Sequence, residues 1–580
     1  MALPGSILWT ASSFFLQSKN WRCVLSLTRE RSTGRMALRA SARQMGARTL
    51  TTYRKSLGSL HLNRQLLWPA LITVAAMALR LWQLGAQSLW FDEAQTLFIA
   101  RLPLDEIVQR AYRPPLYHYL LHFWRLLVPD REFWLRLPSA LSGVVVVPLI
   151  YGAATRLYSR RVAMLAAALA AISPVLVWYS QELRMYSLMA AEYAALLWLL
   201  PVLVRSRTSP PWGGWIVFCL LEIAALYTHY YAIPFLVWLA LAGALGPLLL
   251  RRWRTLAAWC GVHLVAAVAF VPWLLVIGSG RGGVGDYVGA EVLPVVTEVP
   301  GARQFAGQLL NFYVGGSLGA DGALRWLVPL AALSLAAAAL ALVPAIARWA
   351  YKAWRREADL CPGGRYGDLC LLLVTCGPVA TALLMYHYRP GVVHPRHLMM
   401  LAVPLAILTA RAGDLLFSSL PGPRGWRAAA RGMGLIALVA FAAASGAGLT
   451  LSYTDSGRQR PDTRALAQHV QTLTGPGDAV ILPYIDYAFD HYYQGAARSH
   501  YVETRVGDAD LFNWFLPRIQ GARRAVLLRW VDAFSDARDA LPWLLQRNGR
   551  LVQRFWQAQR WVSVYDLDDP LTGPSSDLMD

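Results

Sequence analysis

Charge is what this sequence has least of. Only 15% of its 580 residues are Asp, Glu, Lys or Arg, against about 25% in soluble domains. Hydrophobic residues make up 56% and mean hydropathy is +0.37. That much apolar surface cannot be hidden inside a water-soluble domain, so an ordinary soluble enzyme is excluded. The same numbers exclude disorder for most of the chain. Acids are scarcer than bases, 34 against 55, giving a net charge of +21. In so apolar a chain that excess reads as Lys and Arg in cytoplasmic loops, and no nucleic-acid partner is expected. Cysteine is sparse too: the six residues are scattered, without metal spacing or a disulfide framework. A nucleotide-binding glycine motif is also missing. Gly282-Gly283-Val284-Gly285 has neither a strand before it nor a helix opening on Gly-Lys after it.

What is present is a series of long apolar runs. A helix needs about 20 residues to cross a bilayer core of about 30 Å. Eleven runs meet that need: Leu66–Leu84, Phe133–Leu157, Val162–Tyr179, Leu188–Val204, Trp212–Thr228, Ala232–Leu250, Leu256–Ile277, Ala323–Ile346, Leu369–Tyr388, Leu398–Phe417 and Met433–Tyr453. The 24 Trp and 25 Tyr suit the aromatic belts of such a protein. The fold class expected is a polytopic α-helical membrane protein with about eleven transmembrane helices.

Alternate short connections carry the cations: Arg156, Arg160 and Arg161; Arg205 and Arg207; Arg251, Arg252 and Arg254; Arg348, Lys352, Arg355 and Arg356; Arg424, Arg427 and Arg431. The connections between them carry far fewer. The positive-inside rule then puts the N-terminus in the cytoplasm. The first loop, residues 85–132, disagrees: it faces outside by parity yet holds five Arg. The other loops agree with one another and set the orientation.

Residues 1–65 hold eleven Lys or Arg and one acid, Glu30. They read either as a basic cytoplasmic arm on anionic lipid or as sequence upstream of a true start at Met36 or Met45. No signal-peptide pattern is expected in them. Residues 66–453 form the transmembrane domain. Residues 454–580 are different material, with 14 Arg and 16 Asp or Glu. An odd number of spans places this tail outside the cell. Asp462–Leu473 has helical periodicity, Gly475–Asp478 is a turn, and Ala479–Leu482 reads as a buried strand. A strand over Arg524–Val531, a helix over Ala533–Gln546 and a strand over Trp561–Leu567 complete a small extracytoplasmic α/β domain.

The chemistry-bearing residues gather near the first spans. Ser88-Leu89-Trp90-Phe91-Asp92-Glu93-Ala94 follows the first one. Asp92 there could act as a general base or hold a divalent cation against a phosphate; the plain alternative is an acidic pair starting a helix. Next come Arg113-Pro114-Pro115-Leu116-Tyr117, then Arg136-Leu137-Pro138-Ser139-Ala140-Leu141-Ser142-Gly143. After the third span come Ser173-Pro174 and Tyr179-Ser180-Gln181-Glu182-Leu183-Arg184-Met185-Tyr186.

This order of motifs resembles the C superfamily of bacterial membrane glycosyltransferases, related to protein O-mannosyltransferases and the aminoarabinose transferases of lipid A. It is strongest over residues 66–200. The resemblance implies transfer of a sugar from a polyprenyl-phosphate carrier to an acceptor hydroxyl on the extracytoplasmic face of the plasma (inner) membrane. The acceptor is a lipid, glycan or protein that the motifs do not name. Asp92 matches the catalytic acid, and Glu93 lies beside it. Arg184 and Arg136 would bind the donor phosphate, and Glu182 would orient Arg184, help bind the sugar or, with Glu93, hold a divalent metal ion; the plain alternatives are a positional anchor at the interface for Arg136 and a local surface pair for Glu182 and Arg184. Tyr117, of the Pro-Pro-Leu-Tyr motif, is a further candidate for binding the substrate or donor phosphate, as is His229. Relatives often carry His before Pro-Pro where this chain has Arg113.

Arg396, in His394-Pro395-Arg396-His397, is a second candidate for the lipid phosphate. His229 at the end of the fifth span is expected to line the cavity or to sit in an aromatic belt. Glu192 and Glu222 fall inside spans, where they face a cavity or are hydrogen-bonded within the bundle. The rival reading is a secondary transporter or flippase of a lipid-linked sugar. Against it, no pair of matching halves with broken midplane helices is visible, and the polar motifs collect at helix ends.

Overall fold

The computed structural model describes residues 64–111, 113–205, 212–279, 307–309, 351, 355, 365–388, 393–418, 424–455, 459–502, 515–529, 536, 539–568 and 571. Its first part is helical. In chain order come α1 (Arg64–Leu81), α2 (Phe91–Arg101), α3 (Leu104–Arg110), α4 (Leu116–Arg125), α5 (Glu132–Leu157), α6 (Arg160–Ala171), α7 (Pro174–Ser180) and α8 (Tyr186–Arg205). Then follow α9 (Trp212–Thr228), α10 (Ala232–Leu249), α11 (Trp253–Gly278), α12 (Arg365–Tyr388), a 3-10 turn at Pro395–Leu401, α13 (Ala402–Ser418) and α14 (Arg424–Thr454).

Ten of the eleven expected spans fall on described residues and all ten are helical; Ala323–Ile346 lies outside them, as does nearly all of the basic segment 1–65. Among the described residues seven helices are long and apolar enough to cross a bilayer, or eight if α6 and α7 count as one crossing. α1 and α9 are apolar but shorter. The third expected span needs correction: it is not one helix but α6 and α7, bent by 54° at the break before Pro174. Proline at the first position of α7 has no N–H for α6 to use, so the helix restarts there. The carbonyls left bare at the end of α6 are covered by a buried arginine of α1. Arg80 Nη1 donates to Ala171 O at 3.2 Å and Nη2 to Ala170 O at 3.3 Å.

α8 runs through the centre of the bundle and is buried on nearly every face, which explains why it is apolar all round rather than striped. α5 and α7 approach closely at Gly143, where a Cβ would strike Ser180. Each intramembrane acid has one partner inside the bundle: Glu192 Oε1 accepts from Thr228 Oγ1 at 2.9 Å, and Glu222 Oε1 pairs with His263 Nδ1 at 2.5 Å, while the second oxygen of each makes no hydrogen bond.

After α14 the chain enters a mixed sheet domain. Its elements are α15 (Thr463–Leu473), β1 (Ala479–Leu482), α16 (Tyr487–Tyr492), β2 (Arg498–Tyr501), α17 (Leu516–Ile519), β3 (Arg524–Arg529), α18 (Ala540–Arg547), β4 (Gly549–Gln557) and β5 (Arg560–Leu567). The strand order is β2-β1-β3-β5-β4, with β1 parallel to β2 and β3, and β5 antiparallel to β3 and β4. α15 covers one face through Leu466, Ala467 and Val470. α17 and α18 cover the other through Leu516, Ile519, Leu541 and Leu544. Covered on both sides, β1 is apolar throughout. Asp462 is not the first helical residue of α15 but its cap, accepting from Ala465 N at 3.1 Å. The expected helix 533–546 is found as α18, ending one residue later and, within the described residues, starting at Ala540. Strands β2 and β4 were not expected from the sequence.

Candidate active site

The site lies at one end of the bundle, where α2, the start of α5, the turn between α7 and α8, the turn between α9 and α10, and the 3-10 turn meet. Everything begins with the short helix α2. Its N-terminus carries two acids, as the helix dipole favours. They face different partners.

Glu93 is fully buried and faces Arg136 of α5. Arg136 Nη2 donates to Glu93 Oε2 at 2.7 Å and Nε to Oε1 at 2.8 Å, a bidentate fork. The same guanidinium donates to the carbonyls of Leu84, Gln87 and Ser88. Glu93 Oε1 also accepts from Leu183 N at 2.7 Å. The pair thus ties α2, α5, the chain before α2 and the turn before α8 together. Burial alone would raise the Glu93 carboxyl, but Arg136 and Arg460 outweigh it and hold it below the usual carboxylate range. Both Glu93 oxygens and the Arg136 fork are engaged with protein, which directs neither toward a donor phosphate.

Asp92 points the other way. Its Oδ2 lies 3.1 Å from Arg396 Nη1 and 3.8 Å from Arg184 Nη2, and the residue is 8% exposed. Arg184 is steadied by Nη1, which donates to Asp92 O at 3.1 Å and Thr96 Oγ1 at 2.7 Å. Its backbone oxygen accepts from Ser139 Oγ, which in turn pairs with Tyr117 OH at 2.7 Å. Tyr117 therefore reaches the site through Ser139. Arg113, buried nearby, donates to Tyr186 OH at 3.4 Å.

Glu182 is 2% exposed and accepts from Trp90 Nε1 at 2.9 Å through Oε1; Oε2 has no hydrogen-bond partner. Burial pushes its carboxyl up to about 7, with Arg460 and Arg184 pulling against Glu93 and Asp92. His229 Nδ1 accepts from Tyr231 N at 3.1 Å, which leaves the ring proton on Nε2, an atom without a hydrogen-bond partner. Burial first, then Arg113, Arg184 and Arg396, keep this imidazole well below its usual range and neutral. Its ring centroid is 5.5 Å from that of His397 and 6.3 Å from Tyr186, so it forms part of the wall beside the arginines.

The structure therefore gathers Asp92, Arg184 and Arg396 at one point, with Glu182 and His229 bordering it, and turns Glu93 and Arg136 toward each other. Among the described residues no three His, Cys, Asp or Glu converge, and both oxygens of Glu93, one of the two acids expected to hold a metal, accept from Arg136. His394 and His397 are engaged in the 3-10 turn, where each accepts a backbone N–H through Nδ1.

One residue was missed altogether. Arg460, between α14 and α15, enters the site with its side chain 7% exposed; Nε lies 3.9 Å from Glu93 Oε2, and its guanidinium sits 4.8 Å from the Trp178 ring centroid. No sequence signal distinguishes this arginine from its neighbours in a charged tail. The sheet domain is also docked here. Tyr492 OH accepts from Leu89 N at 2.7 Å and donates to Glu132 at 2.7 Å, while Tyr487 packs on Phe91 and Phe98 of α2.

Residues 112–276 match the family model described as dolichyl-phosphate-mannose-protein mannosyltransferase. That stretch includes Arg113, Tyr117, Arg136, Glu182, Arg184 and His229. The chain is similar to the crystal structure of ArnT from Cupriavidus metallidurans in the apo state, with 14% identity and a TM-score of 0.51, covering 88% of this chain and 99% of that one. The same protein bound to undecaprenyl phosphate aligns with 14% identity and a TM-score of 0.49, over 88% and 100% of the two chains. The archaeal oligosaccharyltransferase AglB from Archaeoglobus fulgidus, in complex with an inhibitory peptide and a dolichol-phosphate, aligns with 10% identity and a TM-score of 0.47, over 88% and 75%. No curated protein sequence matches the chain. The resemblance read from the motifs thus holds at two levels: a family model matches the segment after α3, and the fold is shared with ArnT.

Proposed function

We propose that this protein is a membrane glycosyltransferase that moves a sugar from a polyprenyl-phosphate carrier to an acceptor hydroxyl. The observation that carries the reading is Asp92 beneath Arg184 and Arg396, in a chain whose family match concerns lipid-phosphate-sugar donors. In the chemistry such a set supports, the acceptor oxygen attacks the anomeric carbon and its proton passes to Asp92. The bond from that carbon to the phosphate oxygen breaks, and the carrier phosphate leaves with an added negative charge. Arg184 and Arg396 face that developing charge, where preorganised cations are most effective. In the resting site they pair with Asp92, which keeps them in place until the donor phosphate arrives. Glu182 and His229 border the donor; Glu93 and Arg136 hold the backbone on which Asp92 and Arg184 sit.

The topology belonging to this reading has eleven spans, a cytoplasmic N-terminus and the sheet domain on the extracytoplasmic side of the plasma membrane. The alternating loop cations support it. The transporter alternative gains nothing from the geometry, since the polar cluster sits at helix ends.

The deciding experiment uses purified protein in proteoliposomes with undecaprenyl-phosphate-linked sugars and candidate acceptors. Formation of a new glycosidic product with release of undecaprenyl phosphate is expected. Translocation of the intact donor without product overturns the enzyme reading.

A further inference from the structure

The polar cluster divides into two halves of unlike charge. Around Asp92 stand Arg184 and Arg396: one carboxylate between two guanidiniums. Around Glu93 and Glu182 stand Arg136 and Arg460: two carboxylates and two guanidiniums. An excess of cation suits a phosphate. The balanced half does not, because an anion placed there would sit beside two buried carboxylates.

The balanced half nevertheless holds polar atoms that need a partner. Arg460 Nε and Nη2 and Glu182 Oε2 are buried and make no hydrogen bond within the protein. Such groups are seldom left bare. Arg460 is also held in place. Its backbone N–H and its Nη1 donate to Gln87 Oε1 at 3.3 and 3.5 Å, and its guanidinium rests on Trp178. The next residue is pinned as well: Pro461 O accepts from Ser88 Oγ at 2.9 Å, and Ser88 Oγ accepts from Thr463 N at 3.1 Å. A held, unsatisfied donor and an unsatisfied acceptor in one cluster, with Arg460 3.9 Å from Glu93 and the largest charge acting on Glu182, fit a group that accepts and donates at once, which is what a hydroxyl does.

We propose that Arg460 and Glu182 form a hydroxyl-binding subsite for the transferred sugar, built where the helical bundle meets the chain leading into the sheet domain. A sugar hydroxyl accepts from Arg460 and donates to Glu182 while the phosphate occupies the arginines beside Asp92. The segment leading into the sheet domain then helps select the donor sugar, because it carries Arg460 and is held against Gln87, Ser88 and Trp178. This subsite rests on the sugar-transfer reading above.

The test compares binding by the full-length protein of bare undecaprenyl phosphate with binding of undecaprenyl phosphate carrying mannose, glucose, galactose or arabinose. Wild type is expected to prefer at least one sugar-bearing lipid over the bare carrier. Arg460→Gln and Glu182→Gln should each reduce that preference roughly tenfold or more, the scale of one charge-assisted hydrogen bond. Affinity for the bare carrier should stay within about twofold of wild type, since neither contact reaches the phosphate. Arg396→Gln should weaken bare and loaded carriers alike. Arg460→Lys keeps the charge and loses the planar fork. It should melt as wild type does and still lose preference, which guards against an unfolded Gln variant. An equal loss for bare and loaded carriers, or a preference kept in full by the folded variants, overturns the subsite; in the second case only water lies between the two residues. If wild type binds none of these lipids, it is the sugar-transfer reading that fails.

Discussion

Arg396 and Asp92 are 304 positions apart in the chain and 3.1 Å apart in space. Arg184 reaches the same carboxylate from a third element. Three parts of the chain therefore meet at one charge. Arg184 is buried at 2% exposure, so each of its bonds is made away from water. Removing either guanidinium should weaken the donor more than the fold. Arg184→Gln and Arg396→Gln are each expected to cost about 1.5–3 kcal/mol in donor affinity, the range for hydrogen bonds to charged groups. The measurement is undecaprenyl-phosphate binding alongside thermal melting. Unchanged affinity in a folded variant would remove that arginine from the phosphate site.

Glu93 should behave differently from Asp92 despite being its neighbour. Its partner Arg136 is 1% exposed and Glu93 itself is 0% exposed. Breaking such a pair leaves an uncompensated buried charge, at a cost of about 3–5 kcal/mol. Glu93→Gln should therefore lower the melting temperature sharply. A double change, Glu93→Gln with Arg136→Met, should recover part of the loss because the Arg136 charge no longer stays buried without its partner, although Arg460 still lacks the Glu93 carboxylate. Equal stability of wild type and Glu93→Gln would show that the pair does not hold the loop.

The contrast between these two acids also marks what could be read from the sequence. The Asp-Glu pair, the Arg-Leu-Pro-Ser motif and the Glu-Leu-Arg motif each stand within a few residues, so Asp92, Glu93, Arg136, Glu182 and Arg184 were all visible. Their pairing was not, because α2 places consecutive residues on different faces. Arg460 left no trace, since a lone arginine in a charged tail looks like any solvated one. The break between α6 and α7 was announced only by Ser173-Pro174 inside an otherwise continuous apolar run. Strand β4 was missed because most of it is exposed and it lacks a clean alternation of apolar and polar residues.

Glu182 gives the site a pH signature in stability. Its carboxyl is raised by burial from 4.5 to about 7. A raised carboxylate binds its proton more tightly in the folded state, so it favours folding below about 4.5. That contribution declines as pH rises and is gone above about 7. The full swing is at most about 3 kcal/mol, since one pKa unit is about 1.4 kcal/mol. Melting temperature of the wild type, followed from pH 4.5 to 7.5, should fall relative to Glu182→Gln, which carries no titrating group there. Parallel curves would mean that Glu182 does not titrate in this window.

Tyr492 couples the sheet domain to the helix that bears Asp92. Tyr492→Phe removes a hydroxyl that accepts from Leu89 N and donates to Glu132. Each such bond is worth about 0.5–1.5 kcal/mol, more toward a carboxylate. Hydrogen exchange should quicken at residues 87–93 while exchange in β1 and β3 stays unchanged. Wild-type protection at residues 87–93 would show that the docking depends on other contacts, such as Tyr487 against Phe91 and Phe98.

The sharpest prediction concerns Asp92 itself. Asp92→Asn keeps the size of the side chain and an oxygen that can still accept from Arg396, but it removes the negative charge and the base. Loss of a general base costs about 10²–10⁴ in rate. Turnover with an undecaprenyl-phosphate sugar should fall by that factor. Binding should not fall with it. In the resting site Asp92 competes for Arg184 and Arg396, so its neutralisation leaves both guanidiniums more available to phosphate, and donor affinity should rise by a modest factor. Stability should change little, because the residue retains 8% exposure, Arg184 remains paired through Thr96 and the Asp92 backbone oxygen, and the Arg396 side chain is 22% exposed and can still donate to the Asn oxygen. The three readouts separate the roles. Slow turnover with intact or tighter donor binding marks a base, whereas slow turnover with weakened binding marks a residue that merely orients the arginines. Near-normal turnover by a folded Asp92→Asn protein would remove the carboxylate from the chemistry, and the acceptor proton would have to go to Glu182, the other acid at the site with an oxygen left unpaired.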